Sequence, residues 1–166
     1  SEPQLLLNIE GKQVSVNNTP VGELNITSKW DNFQKKFNIH LTNTLSGENP
    51  LVVTGTFRPK GSYLDLSAKA NKTAVAYFEP FLSDIISKSS GTISGDLNLR
   101  GELDKLVLSG ESGHLNDLGF TINFTKVPYI LSGPFVIDDG VLKISGGTLK
   151  DRYGNNWYVG TMIVSA

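Results

Sequence analysis

Hydrophobic and polar residues alternate along most of this chain, and the pattern is clearest between Ser90 and Glu111. Apolar residues or glycines occupy every second position from Ile93 to Leu103, and polar or charged residues fill the positions between them. A period of two is typical of a β-strand with one buried face. Leu106 and Leu108 repeat the pattern after a short turn, so the segment predicts two adjacent antiparallel strands whose apolar faces point the same way.

The same alternation, interrupted by turn residues, predicts roughly a dozen short strands over the rest of the chain. We expect tight turns at Gly11-Lys12, Thr125-Lys126 and Asp139-Gly140, the last being the strongest hairpin signal in the sequence. The residues from Asn43 to Pro50 predict a polar loop. His114 lies in a segment that predicts a glycine-flanked turn. The chain is therefore predicted to be all-β.

One segment, from Asn71 to Ser89, breaks this rhythm. Its apolar residues recur mostly at steps of three and four, which predicts an amphipathic helical insert at about 72–89. Pro80 lacks an amide proton, so we expect a kink there or a second short helix that begins at Pro80, and Gly91 is the predicted end cap. The apolar face of this helix should pack onto the sheet at one end or edge, through Phe78, Phe81, Ile85 and Ile86.

Composition narrows the possible functions. A length of 166 residues suits a single domain spanning 1–166. The 15 basic and 16 acidic residues nearly cancel, so the charge does not favour a nucleic-acid partner. The absence of cysteine excludes disulfides and thiol chemistry and is compatible with an oxidising compartment. The alternating pattern of a strand extends to both ends of the sequence, from which we expect a fragment of a longer protein.

The candidates for chemistry are weak. His40 and His114 have no further ligand at a spacing typical of a metal site. Asp138-Asp139 precedes a glycine, which predicts a solvated hairpin turn rather than a catalytic carboxylate pair. Ser94 and Ser109 lie in segments predicted to be strands, without the strand-to-helix turn that exposes a nucleophilic serine. We therefore predict no catalytic residue, no metal and no cofactor. Four glycines lie inside segments predicted to be strands, where the missing side chain predicts a bulge, a bend or the close approach of another backbone. They are Gly95, Gly101, Gly110 and Gly160.

The dominant feature is the large amount of one-sided apolar β surface. This surface has to be covered by the sheet folding over on itself, by a neighbour or by a ligand. A sandwich with a dry core produces the same alternation, so the pattern alone leaves a closed core and an open groove as alternatives.

Three stretches carry a resemblance to a known family: FEPFLSDIISKSSGTISGDLNLRGEL, LVLSGES, and the closing LKDRYGNNWYVGTM. In their order and spacing, from Phe78 to Gly160, they resemble the carboxy-terminal domain of the TamB family, the inner-membrane component of the translocation and assembly module. The resemblance implies part of a Gram-negative cell-envelope protein that is anchored in the inner membrane, crosses the periplasm and meets the outer-membrane barrel TamA. Membrane contact would come from parts of the full-length protein outside this sequence.

The TamB family is similar to the AsmA-like and bridge-type lipid-transfer proteins, so the resemblance implies a curved antiparallel sheet folded like a taco around an apolar groove. The groove would shield phospholipid acyl chains between the two membranes. Combined with the alternation, it predicts a concave side bearing Leu97, Leu99, Leu106 and Leu108, within a lipid-binding wall formed by Leu24, Ile26, Phe37, Ile39, Leu64, Leu66, Leu97, Leu99, Leu106, Leu108, Phe120, Ile122, Phe124, Ile137, Leu142 and Ile144.

The alternative function is an assembly chaperone for outer-membrane proteins. An open sheet edge would then pair with nascent strands or with a TamA-like barrel by β-augmentation. An enzyme is disfavoured, because no nucleophile, base and orienting group occur together at a recognisable spacing.

Overall fold

A computed structural model describes residues 5–81 and 86–165 and shows an all-β protein. The described residues contain a short 3-10 helix, Val75–Phe81, and ten strands. The strands are β1 (Leu6–Val16), β2 (Thr19–Asp31), β3 (Lys36–Leu45), β4 (Glu48–Arg58), β5 (Tyr63–Ala74), β6 (Ile86–Glu102), β7 (Val107–Ile122), β8 (Pro128–Asp138), β9 (Val141–Asp151) and β10 (Asn156–Val164).

The strands follow one another in sequence order in an antiparallel sheet whose edges, within the described chain, are β1 and β10. The predicted all-β antiparallel fold is confirmed. The chain divides into two compact units, the first formed by Ser1–Lys69 with Leu97–Val107 and the second by Ala70–Asp96 with Leu108–Ala166. Within each unit the sheet curls only weakly.

In the first unit, strand pairing gathers apolar side chains on one face. Phe37 in β3 lies opposite Trp30 in β2 and Phe57 in β4, and Leu41 lies opposite Val53. Side chains directly opposite one another in an antiparallel pair point to the same side of the sheet. The alternation in the sequence therefore becomes a continuous apolar face, and most of its residues are half-buried rather than buried.

A buried polar residue, Asn43, closes one end of this face. Its Nδ2 donates hydrogen bonds to the carbonyl oxygens of Val21 at 2.6 Å and Glu23 at 3.1 Å. Gly22 lies between these two residues at a φ of 86°, where the backbone departs from regular strand geometry. The Asn43 amide thus provides hydrogen bonds to the Val21 and Glu23 carbonyl groups at this irregularity. An apolar side chain at the same position would leave both carbonyls without that donor.

In the second unit the apolar face forms a closed core. Phe135 in β8 lies opposite Ile144 in β9, and Ile137 lies opposite Leu142. All four are buried, and Ile144 is 0% exposed. A Cβ added at Gly113 would lie only 2.2 Å from the Phe135 ring, so the ring packs directly over that glycine. This part of the sheet has the dry interior expected of a folded core.

Two of the four strand glycines singled out in the sequence lie where another backbone approaches. A Cβ at Gly95 would lie 2.5 Å from the Ser112 carbonyl oxygen, and one at Gly101 would lie 2.4 Å from the Lys105 oxygen. Both glycines also have positive φ, at 145° and 136°. Gly160 has nothing within 4 Å of the added Cβ, so no close approach explains it.

The predicted helical insert at 72–89 is largely wrong. β5 continues to Ala74, β6 begins at Ile86, and the helical segment in this region is the seven-residue 3-10 helix. Thr73 is fully buried in β5, where a β-branched side chain packs well. Pro80 disfavours a long α-helix through this segment, and short 3-10 pieces tolerate such sequences better.

Phe78 is half-buried in the 3-10 helix, and Val75 and Ala76 beside it are buried. The predicted packing of Phe81, Ile85 and Ile86 concerns side chains that lie outside the described part of the structure. The predicted end cap at Gly91 is wrong. That glycine lies inside β6 with a φ of 91°, and a Cβ there would lie 2.3 Å from the Asp117 carbonyl oxygen.

The turn predictions have mixed outcomes. Asp139-Gly140 is a two-residue hairpin turn with φ values of 48° and 76°, as predicted. The turn predicted at Gly11-Lys12 is wrong, because β1 runs through these residues with a register shift before Val14. The hairpin turn lies instead at Asn17-Asn18, where φ is 47° and 64°.

The loop predicted from Asn43 to Pro50 is also wrong. β3 extends to Leu45, and a two-residue turn at Ser46-Gly47 leads straight into β4. The φ values of this turn are 53° and 82°, and the left-handed region suits a tight hairpin. His114 likewise lies within β7 and not in a turn.

Candidate apolar site

The first unit contains an open apolar cavity of about 350 Å³. It is lined by residues from strands β1 to β5 and from the turn that follows β6. All of the described lining residues except Ser28 have apolar side chains. They are Leu7, Ser28, Phe37, Ile39, Phe57, Leu64 and Leu103.

Strand pairing explains why these residues meet. Leu7 is paired with Ser28, which is paired with Ile39, so three neighbouring strands place a side chain in one row across the sheet. Phe37 and Phe57 form the next row, closer to the β2–β3 and β4–β5 turns. Because side chains two positions apart share a face, both rows point into the same cavity.

Aromatic packing and a backbone hydrogen bond fix the border of the cavity. The Trp30 ring lies 4.9 Å from the Phe37 ring, centroid to centroid, at an interplanar angle of 58°. The Leu103 amide donates a 3.0 Å hydrogen bond to the Ser62 carbonyl oxygen, which holds the turn after β6 against the β4–β5 turn. Leu7 and Leu103 remain about half exposed, so the cavity is accessible from solvent.

The ion pair between Arg100 and Asp65 in the first unit lies outside the described cavity lining. Arg100 Nε and Asp65 Oδ1 form a 2.8 Å ion pair, and Ser67 Oγ donates to Asn98 Oδ1 at 3.0 Å. Asp65 alternates in β5 with the lining residue Leu64, so its side chain points to the other face of the strand. The cavity thus offers hydrocarbon contacts and one hydroxyl group. This arrangement suits an apolar ligand and provides no acid, base or nucleophile arrangement among the lining residues.

The structure brings only some of the predicted wall residues of the first unit together. Of the predicted wall residues, Phe37, Ile39 and Leu64 line the cavity. Leu97 is buried within the unit rather than lining the cavity. The others are half-buried and lie outside the described lining: Leu24, Ile26, Leu66, Leu99 and Leu106.

In the second unit, the predicted wall residues have other environments. Ile137, Leu142 and Ile144 are buried in the core of this unit. Leu108, Phe120 and Ile122 are half-buried. The placement of Phe124 on the same face as Phe120 and Ile122 is wrong, because Phe124 lies in the turn after β7 and is 95% exposed.

Four cavity residues were not among the predicted wall residues. Phe57 carries the signal that identified the others, because it lies between Thr56 and Arg58 and shares a face with its strand partner Phe37. Leu7 follows another leucine, so alternation marks it less clearly, and its pairing with Ser28 is what places it in the cavity. Leu103 continues the period of two from Leu97 and Leu99 into the following turn. Ser28 is polar, and only strand register reveals that it lies in the cavity.

The candidate polar residues make ordinary local contacts. His40 Nε2 lies 3.3 Å from Thr42 Oγ1, and His114 Nδ1 lies 3.1 Å from Asn116 Oδ1. Asp138 Oδ2 pairs with Lys143 Nζ at 3.0 Å. Across residues 5–81 and 86–165, no three His, Cys, Asp or Glu side chains are grouped as a metal site. Within the same ranges, no helix is long and apolar enough to cross a membrane.

Comparison with known proteins gives no relative: no family model, no curated protein and no solved structure matches this chain.

Proposed function

We propose that this chain is a non-enzymatic segment of a TamB-like periplasmic lipid conduit, and that its first unit shelters acyl chains of phospholipids. The observation that carries the proposal is the open cavity lined by Phe37, Ile39, Phe57 and their neighbours. An apolar surface of this kind is normally covered by protein or by a ligand. The half-burial of the face around it contrasts with the dry core of the second unit, where Ile144 has no exposed surface.

The dimensions of the cavity fit part of an acyl chain. Its volume of about 350 Å³ lies at the small end of the range for ligand-binding pockets. Six methylenes moved from water into it would gain about 5 kcal/mol before the cost of immobilising the lipid. Contacts of this kind are weak and similar to one another, so an acyl chain can slide along the wall rather than lock into one position.

Native mass spectrometry of the purified chain tests this proposal. We expect phospholipid to co-purify with the wild-type chain and to be lost on Phe37→Arg, because the guanidinium group enters the cavity. Asn38→Arg is the matched control, since Asn38 is exposed on the opposite face of the same strand. Wild-type protein that is free of lipid, even after incubation with phospholipid, would contradict the proposal.

A second candidate is an assembly chaperone that pairs its sheet edge with strands of an outer-membrane barrel. A specific observation favours it: β1 is an edge strand of the described sheet and exposes Leu6, Leu7 and Ile9. An edge strand with exposed apolar side chains is suited to β-augmentation. In this case a photoreactive residue at Asn8 should crosslink to a TamA-like barrel protein, and one at Phe37 should not.

A further inference from the structure

Two hairpin turns of the second unit lie at the same end of its sheet. Tyr129, near the start of β8, is paired with Asp151, the last residue of β9. The turn between β7 and β8 (123–127) and the turn between β9 and β10 (152–155) are therefore neighbours. With about 4.8 Å between adjacent strands, the two turns lie roughly 10 Å apart.

This end of the unit exposes aromatic rings. Phe124 in the first turn is 95% exposed, and Tyr153 in the second turn is 71% exposed. Trp157 follows at the start of β10 and is 47% exposed. Tyr158 points to the opposite face of the strand and away from the turn, because a Cβ added at Gly146 in β9 would lie 3.4 Å from its hydroxyl group. We name Phe124, Tyr153 and Trp157 the aromatic end. Large aromatic side chains with a polar tip are enriched where protein meets the interface between lipid and water.

Hydrogen bonds hold both turns in defined conformations. The Lys126 amide donates to the Ile122 carbonyl at 2.8 Å, and the Ile122 amide donates to the Val127 carbonyl at 3.3 Å. In the second turn, Asp151 Oδ1 accepts hydrogen bonds from the amides of Tyr153 at 2.9 Å and Asn155 at 3.0 Å. The rings are thus presented from ordered turns, which lowers the entropic cost of binding.

Among the described residues of the two turns and the adjoining end of β9, basic side chains outnumber acidic ones. Lys126, Lys150 and Arg152 are exposed, and the Arg152 guanidinium lies 4.8 Å from the centroid of the Tyr153 ring. Asp151, the last residue of β9, is the carboxylate beside the second turn, and both of its oxygens accept hydrogen bonds from residues of that turn. Cations beside exposed rings complement a surface that combines negative headgroups with hydrocarbon.

We infer that the aromatic end docks on an anionic phospholipid bilayer. The rings of Phe124, Tyr153 and Trp157 enter the interfacial layer, and Lys126, Lys150 and Arg152 lie beside the phosphate groups. The inference uses residues of the second unit only and does not depend on whether the cavity of the first unit binds acyl chains.

Tryptophan fluorescence tests the docking directly. The sequence has two tryptophans, so Trp30→Phe leaves Trp157 as the reporter at the aromatic end. Vesicles of phosphatidylcholine with one-third phosphatidylglycerol should shift the Trp157 emission to shorter wavelength, and brominated acyl chains should quench it. Binding should be weaker to pure phosphatidylcholine vesicles and in high salt, because the attraction of the cations is screened.

Matched variants, each checked by circular dichroism, locate the surface. Phe124→Ser combined with Tyr153→Ser should weaken vesicle binding about tenfold through lost apolar contact. Phe33→Ser is the control, because Phe33 is also 95% exposed in a hairpin turn but belongs to the first unit, and it should bind as the wild type does. Lys126→Gln and Arg152→Gln should each weaken binding to the anionic vesicles about fivefold.

Three results would overturn the inference. They are an absence of vesicle binding by the Trp30→Phe chain, unchanged binding by the Phe124 and Tyr153 double variant, and an equal loss in Phe33→Ser. An absence of vesicle binding would make the exposed rings candidate contacts for a protein partner instead.

Discussion

Phe37 lies directly opposite Phe57 in the ladder between β3 and β4, and both side chains line the same apolar cavity. This pair shows how the alternating sequence pattern produces the candidate site, because strand register alone brings the two rings together. The aromatic contact between Phe37 and Trp30 extends this row to a third strand. Changes at Phe37 therefore affect the cavity more directly than changes at residues of the closed core.

The first prediction contrasts a charge in the cavity with a charge in the core. Phe37→Arg should remain folded, because the cavity is open and the guanidinium group can reach water, but lipid binding should fall at least tenfold. Ile144→Arg should unfold the second unit, because an unpaired buried charge typically costs more than about 4 kcal/mol. Thermal unfolding followed by circular dichroism, together with lipid binding, measures both effects. Equal unfolding of the two variants would indicate that the first unit has a closed core.

The second prediction concerns the buried amide of Asn43. Asn43→Ala removes the donor to the Val21 and Glu23 carbonyl oxygens and should lower the free energy of unfolding by about 2 kcal/mol. Asn38→Ala, on the exposed face of the same strand, should change it by less than about 0.5 kcal/mol. Urea unfolding compares the two. If they lose the same stability, the Asn43 hydrogen bonds do not hold this end of the sheet.

The third prediction uses two strand glycines of the second unit. Gly95→Ala should destabilise the protein by about 1–3 kcal/mol, because φ is 145° and the new Cβ meets the Ser112 oxygen. Gly160→Ala should be tolerated, since nothing lies within 4 Å of its added Cβ. Differential scanning calorimetry of both variants gives the comparison. A lower melting temperature for Gly160→Ala than for Gly95→Ala would contradict the close approach.

The fourth prediction is a pH dependence. Burial raises the pKa of Tyr77 to about 12, and its hydroxyl group has no hydrogen-bond partner among residues 5–81 and 86–165. Because the folded state has the higher pKa, the contribution of Tyr77 to stability is complete below pH 10 and is lost as the pH rises through 12. Tyr77→Phe should match or exceed the wild-type stability at pH 7 and should lose less stability between pH 10 and 12.

Urea unfolding at pH 7 and at alkaline pH measures this difference. Tyr63→Phe, at an exposed tyrosine, is the control and should keep the wild-type alkaline profile. An alkaline profile of Tyr77→Phe identical to that of the wild type would show that burial of Tyr77 does not limit alkaline stability.

Much of the fold could be predicted because alternation and turn chemistry act locally. Asp139-Gly140 takes the left-handed conformations that a tight hairpin needs, and the sequence marks that turn directly. At Gly11 the same reasoning fails, because β1 absorbs the irregularity as a register shift and continues to Val16. A glycine followed by a polar residue does not distinguish a turn from a bulge.

The helix prediction failed for a different physical reason. Between Asn71 and Ser89 the apolar residues fit steps of three and four, but β5 and β6 extend into both ends of this segment. Pairing in the sheet stabilises Thr73 in a strand and overrides the local helical period. Phe124 fails similarly, because alternation cannot show where a strand stops and its turn begins.

The candidate site could be predicted in part. Alternation together with the family resemblance placed Phe37, Ile39 and Leu64 on one predicted wall, and all three line the cavity. It could not separate an open face from a closed core, since Ile144 and Ile39 have the same alternating pattern and opposite environments. Burial depends on which strands meet and on what covers them, and a single sequence does not specify either.

The most direct test of the central claim is photo-crosslinking to lipid from Ile39, which lines the cavity. Ile144 cannot serve as the reporter because it has no exposed surface. A photoreactive residue at Ile39 should yield a phospholipid adduct in mass spectrometry, and one at His40, exposed on the opposite face of the same strand, should not. If Ile39 yields no adduct, or no more than His40, the cavity does not shelter acyl chains.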